Sequence, residues 1–182
     1  MTTAFSPDDI ISFWRDAGAD RWFKANPDFD AEVRERFQTL WQETRDGLHA
    51  DWEKTAEGVL ALIIVLDQFP RNMFRGSAEA FSTDPQARAL TAHAIEQGMD
   101  QHIDPELRAF VYMPLMHSED AKDQLRSIEV FRALGNANNL AFAELHADII
   151  RKYGRFPHRN TMFGRQTTAE EAAFLAEGGF AG

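Results

Sequence analysis

Apolar positions recur at helical spacing through nearly the whole chain. Ile10, Ile11, Phe13, Trp14 and Ala17 share one face of a helix that Ser6-Pro7 starts, as N-cap and first-turn proline, and Gly18 stops. A second helix begins near Pro27-Asp28, turns Val33, Phe37, Leu40 and Trp41 to one side, and ends at Gly47. A third runs from about Thr55 to Phe69. Its stretch 59–66 is apolar on every side, which marks it as the central buried helix. A buried β-strand is the rival for such a run. The absence of glycine-rich turns, with helical patterns on both sides, decides against it.

A fourth helix spans Asp84-Pro85 to Gly98, and a short one follows Pro105 and is cut by Pro114. Ser118-Glu119-Asp120 then supplies an N-cap and two first-turn acids for a long helix. That helix is expected to turn Ala121, Leu125, Ile128, Phe131 and Leu134 inward and to stop at Gly135. The next runs from about Asn138 to Tyr153 and closes at Gly154. A last one follows the capping box begun by Thr168 and completed by Glu171, and ends at Gly178-Gly179. The pattern therefore predicts an all-α chain of about eight helices with short links, in a single compact domain over 1–182.

Two corners stand out, each just beyond a helical run. Phe69-Pro70-Arg71-Asn72-Met73-Phe74-Arg75-Gly76 and Phe156-Pro157-His158-Arg159-Asn160-Thr161-Met162-Phe163-Gly164-Arg165 align once His158 and Thr161 are treated as insertions. In each, proline is expected to stop the helix. Arginine and asparagine, both multidentate hydrogen-bonding side chains, then follow. The corners start 87 residues apart, not a whole multiple of the helical-hairpin period of about 34 residues. They read as two similar corners rather than as members of a regular array. One explanation is local: Arg71 and Arg159 tie off helix-end carbonyls while Asn72 and Asn160 stabilise turns. The other is functional: both corners, with His117 beside them, offer guanidinium donors to an anion.

Charge sharpens the second explanation. The chain carries 19 Lys+Arg against 29 Asp+Glu, a net −10. Within the 25 residues of 67–76 and 151–165 lie seven cations and one acid, a net +6, so the remaining 157 residues carry −16. A cationic island on an acidic body suits a carboxylate or phosphate. Nucleic acid, which needs a broad basic face, is not an expected partner. The chain has no cysteine, which excludes disulfides, thiolate catalysis and Cys-bound metals and fits a reducing compartment. The first residues hold neither a basic nor a long apolar segment. The longest apolar run, 8 residues, is far short of the roughly 20 that cross a bilayer. A cytoplasmic protein without membrane partners is expected.

Three further residues carry candidate chemistry. His117 precedes a helix start, where free N–H groups gather. With Glu119 it forms a candidate acid/base pair, against the plainer reading of a packed cap histidine. His146 shares a helix face with Phe142, Ile149, Ile150 and Tyr153, the usual place of a hydrogen-bonded core histidine. Asp67 follows Leu60, Ile63 and Ile64 inward and needs a partner, for which Arg155 or Arg159 is expected. The full binding set is Arg71, Asn72, Arg75, His117, His146, Arg155, His158, Arg159 and Asn160. His117, Glu119, His146 and His158 are of metal-ligating types but lack ligand spacing, so neither metal nor cofactor is expected.

Leu66-Asp67-Gln68-Phe69-Pro70-Arg71-Asn72, Met113-Pro114-Leu115-Met116-His117-Ser118-Glu119 and Gly154-Arg155-Phe156-Pro157-His158-Arg159-Asn160 resemble the signature blocks of domain-of-unknown-function family 924. These are mainly bacterial proteins of the tetratricopeptide-like superfamily. The resemblance covers about 10–175 and implies antiparallel helical hairpins, but no activity. Three functions are therefore weighed. One is a binding module for an anionic small molecule or acidic peptide terminus. Another is an enzyme using His117 and Glu119. The third is a scaffold whose polar network is purely stabilising. Oligomeric state is not legible.

Overall fold

Every regular element of the computed structural model, which describes residues 5–180, is helical; among the described residues there is no strand. The chain is all-α. Among the described residues no helix is long and apolar enough to cross a membrane. Residue contacts divide the chain into two units, Met1–Arg75 with Glu79–Pro114, and Gly76–Ala78 with Leu115–Gly182.

The first unit begins with α1 (Pro7–Ala17). Its start follows from a local exchange: the Asp9 amide donates to the Ser6 hydroxyl, while the Asp9 carboxylate accepts from the Ser6 amide at 2.8 Å. The short α2 (Ala19–Trp22) and long α3 (Pro27–Arg45) follow, then α4 (Ala56–Ile63). The apolar run is indeed the centre: every residue from 59 to 66 is at most 3% exposed. Burying each of its large side chains contributes about 2 kcal/mol. Trp14, Phe37, Phe69 and Phe110 are buried too and pack on one another, with Phe37 and Phe69 stacked 4.7 Å apart.

Pro70 does not stop this helix. A single π turn, Ile64–Gln68, leads straight into α5 (Phe69–Met73). In that wider turn the Phe69 amide donates to the Ile64 carbonyl, five residues back. Pro70 has no N–H to give. The Leu66 carbonyl, four residues before it, accepts instead from the buried Thr83 hydroxyl at 2.5 Å. A distant side chain thus replaces the donor that proline lacks. The unit continues through α6 (Asp84–Glu96) into α7 (Pro105–Met116). Nor does Pro114 cut α7. The buried Thr91 hydroxyl reaches the Val111 carbonyl at 2.7 Å, next to the gap in the ladder.

In the second unit α8 (Ala121–Leu134) and α9 (Ala137–Tyr153) form a hairpin across Gly135, which adopts the left-handed conformation at φ +80°. The N-cap of α8 is Asp120, whose carboxylate accepts from the Lys122 amide at 2.7 Å. Ser118 lies two residues earlier, its hydroxyl donating to Asp123 at 2.6 Å. The inward face of α8 also differs from the expected apolar one. Leu125 is 64% exposed, whereas Gln124 and Ser127 are buried with Val130 and Phe131. The reason is the end of α7. The Gln124 amide donates to the Met116 carbonyl at 2.8 Å and lies 2.6 Å from that of Ser118, so a buried side chain does the capping. Helix α10 (Ala169–Ala176) has the capping box its sequence announces, between Thr168 and Glu171.

Candidate functional site

The first corner lies in the first unit. Asp67 is fully buried, as its place on the apolar helix requires, and its partners within that unit are close in sequence. Arg71 Nη1 approaches its carboxylate at 3.2 Å, and the Gln68 amide donates to it at 2.5 Å. The same guanidinium donates in a fork to Asp84, at 3.0 and 3.1 Å. Burial works against the Arg71 charge, but Asp67 and Asp84 outweigh it and raise its pKa. Arg75 forks onto Asp30 at 2.7 and 2.9 Å, and Asn72 donates to the same carboxylate at 2.8 Å. Arg34 closes the end of α5 by donating to the Met73 carbonyl at 2.9 Å. Arg71, Asn72 and Arg75 therefore all direct donors at acids of their own chain. The sequence pattern missed this because Asp30 and Asp84 sit on other helices, 42 and 13 residues from the groups they bind.

The second corner lies in the second unit, with His117. Its proline opens a 3-10 turn, Pro157–Arg159, between α9 and α10. Glu171 is the hub. Arg155 forks onto it at 2.7 and 2.9 Å, and Asn160 and the Thr168 amide donate to it at 3.1 and 2.8 Å. The Arg155 hydrogen bond leads in holding the Glu171 carboxyl down to about 2. Arg155, one expected partner of Asp67, is thus engaged by Glu171. Asn160 is fully buried, and its Oδ1 meets no donor among the described residues.

Glu119 stands beside this hub. It accepts from the Phe156 amide at 2.9 Å and from both arms of Arg165, at 2.9 and 2.8 Å. Burial opposes its charge, yet these donors and the nearby Arg159 lower its pKa overall. Such a carboxylate stays ionised and pins the second corner to the turn before α8.

His146 is the centre of a different group. It is 5% exposed. Its Nδ1 lies 2.7 Å from the Phe142 carbonyl, one turn back on α9. Phe156 and Phe180 meet its ring edge-to-face at 5.4 and 4.4 Å. Phe180 also touches His158, with centroids 5.3 Å apart, and Arg159 lies over Phe156 at 4.6 Å. Burial first, then the positive influence of His117, Arg159 and His158, push the His146 pKa down to about 4. His117, His146, His158 and Arg159 thus form one electrostatic group within the second unit.

Phe180 reaches that group through a helix-end motif the sequence only partly announces. Gly178 takes the left-handed conformation at φ +84°, and the Gly179 amide donates to the Phe174 carbonyl at 2.9 Å. A side chain on Gly179 would strike Phe174. The two glycines were legible as a stop, but not as a device that returns an aromatic ring onto His146.

Among the described residues no group of three His, Cys, Asp or Glu side chains could hold a metal ion. Two surface grooves, of about 520 and 380 Å³, lie along α3 and between α1 and α3. None of the candidate residues lines either groove.

A family model described as a bacterial protein of unknown function, DUF924, matches residues 10–179. A solved structure of a protein of unknown function, ATU0120 from Agrobacterium tumefaciens, is 42% identical, with a TM-score of 0.91 over 94% of this chain and 97% of that one. No curated protein matches. The chain belongs to the DUF924 family.

Proposed function

We propose that this DUF924 protein is a binding module for a small anion or acidic group, and that its binding set lies in the second unit: His117, His146, His158, Arg159 and Asn160. One observation carries the reading. Three imidazoles and a guanidinium act together around a nearly buried histidine, in a chain whose net charge is −10. Their positive influence, with Glu119 close enough to act on Arg159, favours an anionic guest, and an acidic body elsewhere makes such a place selective. The other arginines support a division of labour. Arg71, Arg75, Arg155 and Arg165 are held by Asp84, Asp30, Glu171 and Glu119, which favours a structural role for them.

Catalysis by His117 with Glu119 has less support. A carboxylate held ionised by an amide and a forked guanidinium is a weak base, so Glu119 is better suited to positioning the corner. The test is a thermal-shift screen with phosphate, sulfate and di- and tricarboxylates. A ligand that binds only the native state at 100 times its Kd adds about 2.7 kcal/mol, a rise of several degrees. The reading predicts that at least one anion raises Tm, and that Arg159→Met abolishes the rise while Arg75→Met does not. A flat screen would leave the scaffold reading.

A further inference from the structure

We infer that the stretch 177–180 is a strap: it closes over His146 and His158, swings away on its glycine pair while the helices stay folded, and loosens as pH falls. The inference is independent of the anion reading above.

The strap begins where α10 ends. The amide of left-handed Gly178 donates to the Leu175 carbonyl at 3.3 Å, and the Gly179 amide donates to that of Phe174 at 2.9 Å. This paired closure of a helix end turns the chain sharply back. It sets Phe180 against the cluster of Ile149, Ile150 and Phe156, where its ring meets those of His146 and His158 at 4.4 and 5.3 Å. Among the described residues Phe180 takes part in no backbone hydrogen bond. Its hold is therefore the partial burial of one ring. Such burial favours the closed form about thirtyfold at most, whereas a folded domain outweighs its unfolded state roughly a thousandfold or more. The strap can thus open locally. What it leaves behind is fixed by other bonds: His146 to the Phe142 carbonyl at 2.7 Å, and α10 to the corner through Glu171 and Arg155 at 2.7 Å.

Acid acts on the strap through His146. With the strap closed the imidazole is 5% exposed, and burial is the first cause of its pKa of about 4. With the strap open the ring meets water and much of that cause is removed, so the pKa rises toward the ordinary value. His117, Arg159 and His158, the positive groups that act on the ring from the turn before α8 and from the second corner, hold it short of that value, and Glu119 acts on Arg159 in turn. The open form therefore takes up a proton that the closed form refuses. Above about pH 6.5 neither form is protonated and closure is strongest; as pH falls below that, protonation favours the open form. Opening should rise roughly tenfold between pH 7.5 and pH 5.

Two measurements on the full chain test this. The first is modification of histidines by diethyl pyrocarbonate at pH 7.5, located by peptide mass spectrometry. In Phe180→Ala, His146 is expected to react about tenfold faster than in the unaltered chain, while the exposed His102 of the first unit reacts equally in both. Equal rates at His146 would overturn the strap. The second measurement needs no variant. NMR of the unaltered chain follows the Phe180 ring resonances from pH 7.5 to pH 5. They are expected to move about a quarter of the way to their positions in a short Glu-Gly-Gly-Phe peptide, the open share that a tenfold rise gives, while those of the buried Phe37 and Phe69 stay in place. Phe180 resonances that do not move, or that move only together with those of Phe37 and Phe69, would overturn the inference.

Discussion

His146 shows how one buried side chain sets a measurable property of the protein. An exposed histidine titrates near 6.5; in the folded chain burial and neighbouring cations bring it to about 4. Between those values the unfolded chain takes up a proton that the folded chain refuses, so stability falls as pH drops from about 6.5 to 4. The loss should reach on the order of 3 kcal/mol at the lower end. Urea unfolding followed across that range should show the decline, and His146→Phe should remove most of it. Below this window, Glu171 and its Arg155 partner contribute a second acid loss as the carboxyl protonates toward about 2. Phe180 offers a companion test. With centroids only 4.4 Å apart, its ring shields the imidazole. In Phe180→Ala the His146 pKa, followed by NMR, should move up from about 4 toward the ordinary value. An unmoved pKa would show that α9 and the corner alone account for the shift.

At the scale of helices, what could be read from sequence was what is local. The starts at Ser6 and Thr168 were legible because a capping box closes within four residues. The two internal prolines were misread because their remedy is remote. Pro70 is tolerated through a π turn and Thr83, and Pro114 beside a carbonyl met by Thr91. No local rule signals a donor 17 residues away. Thr83→Val tests the first remedy. It keeps the shape but leaves the buried Leu66 carbonyl and the Trp41 indole N–H without this partner. A loss of about 1–3 kcal/mol, with an unchanged m value, is expected in urea unfolding; Thr83→Ser should recover most of it. The face of α8 was misread for a related reason. Apolar Leu125 was assigned inward by periodicity, but the end of α7 required a buried amide, and Gln124 supplies it.

For the chain as a whole, composition and periodicity gave the helical class and the buried run 59–66, because burial of apolar surface dominates folding and leaves a strong sequence signal. The doubled Phe-Pro-(x)-Arg-Asn corners were singled out for their Arg and Asn, and each holds forked Arg–carboxylate pairs. What each corner does with its arginines was not legible, since a guanidinium reads the same whether it faces a ligand or an aspartate 45 residues away. Arg75 faces an aspartate. His117, His158 and Arg159 act electrostatically on His146, with Glu119 acting on Arg159. The central claim is that the second unit, and not the first corner, binds an anion. Titration of inorganic phosphate into the unaltered chain, Arg159→Met and Arg75→Met tests this most directly. The account predicts one site per chain, lost in Arg159→Met and retained in Arg75→Met. Binding that survives Arg159→Met, or that disappears in Arg75→Met alone, would contradict it.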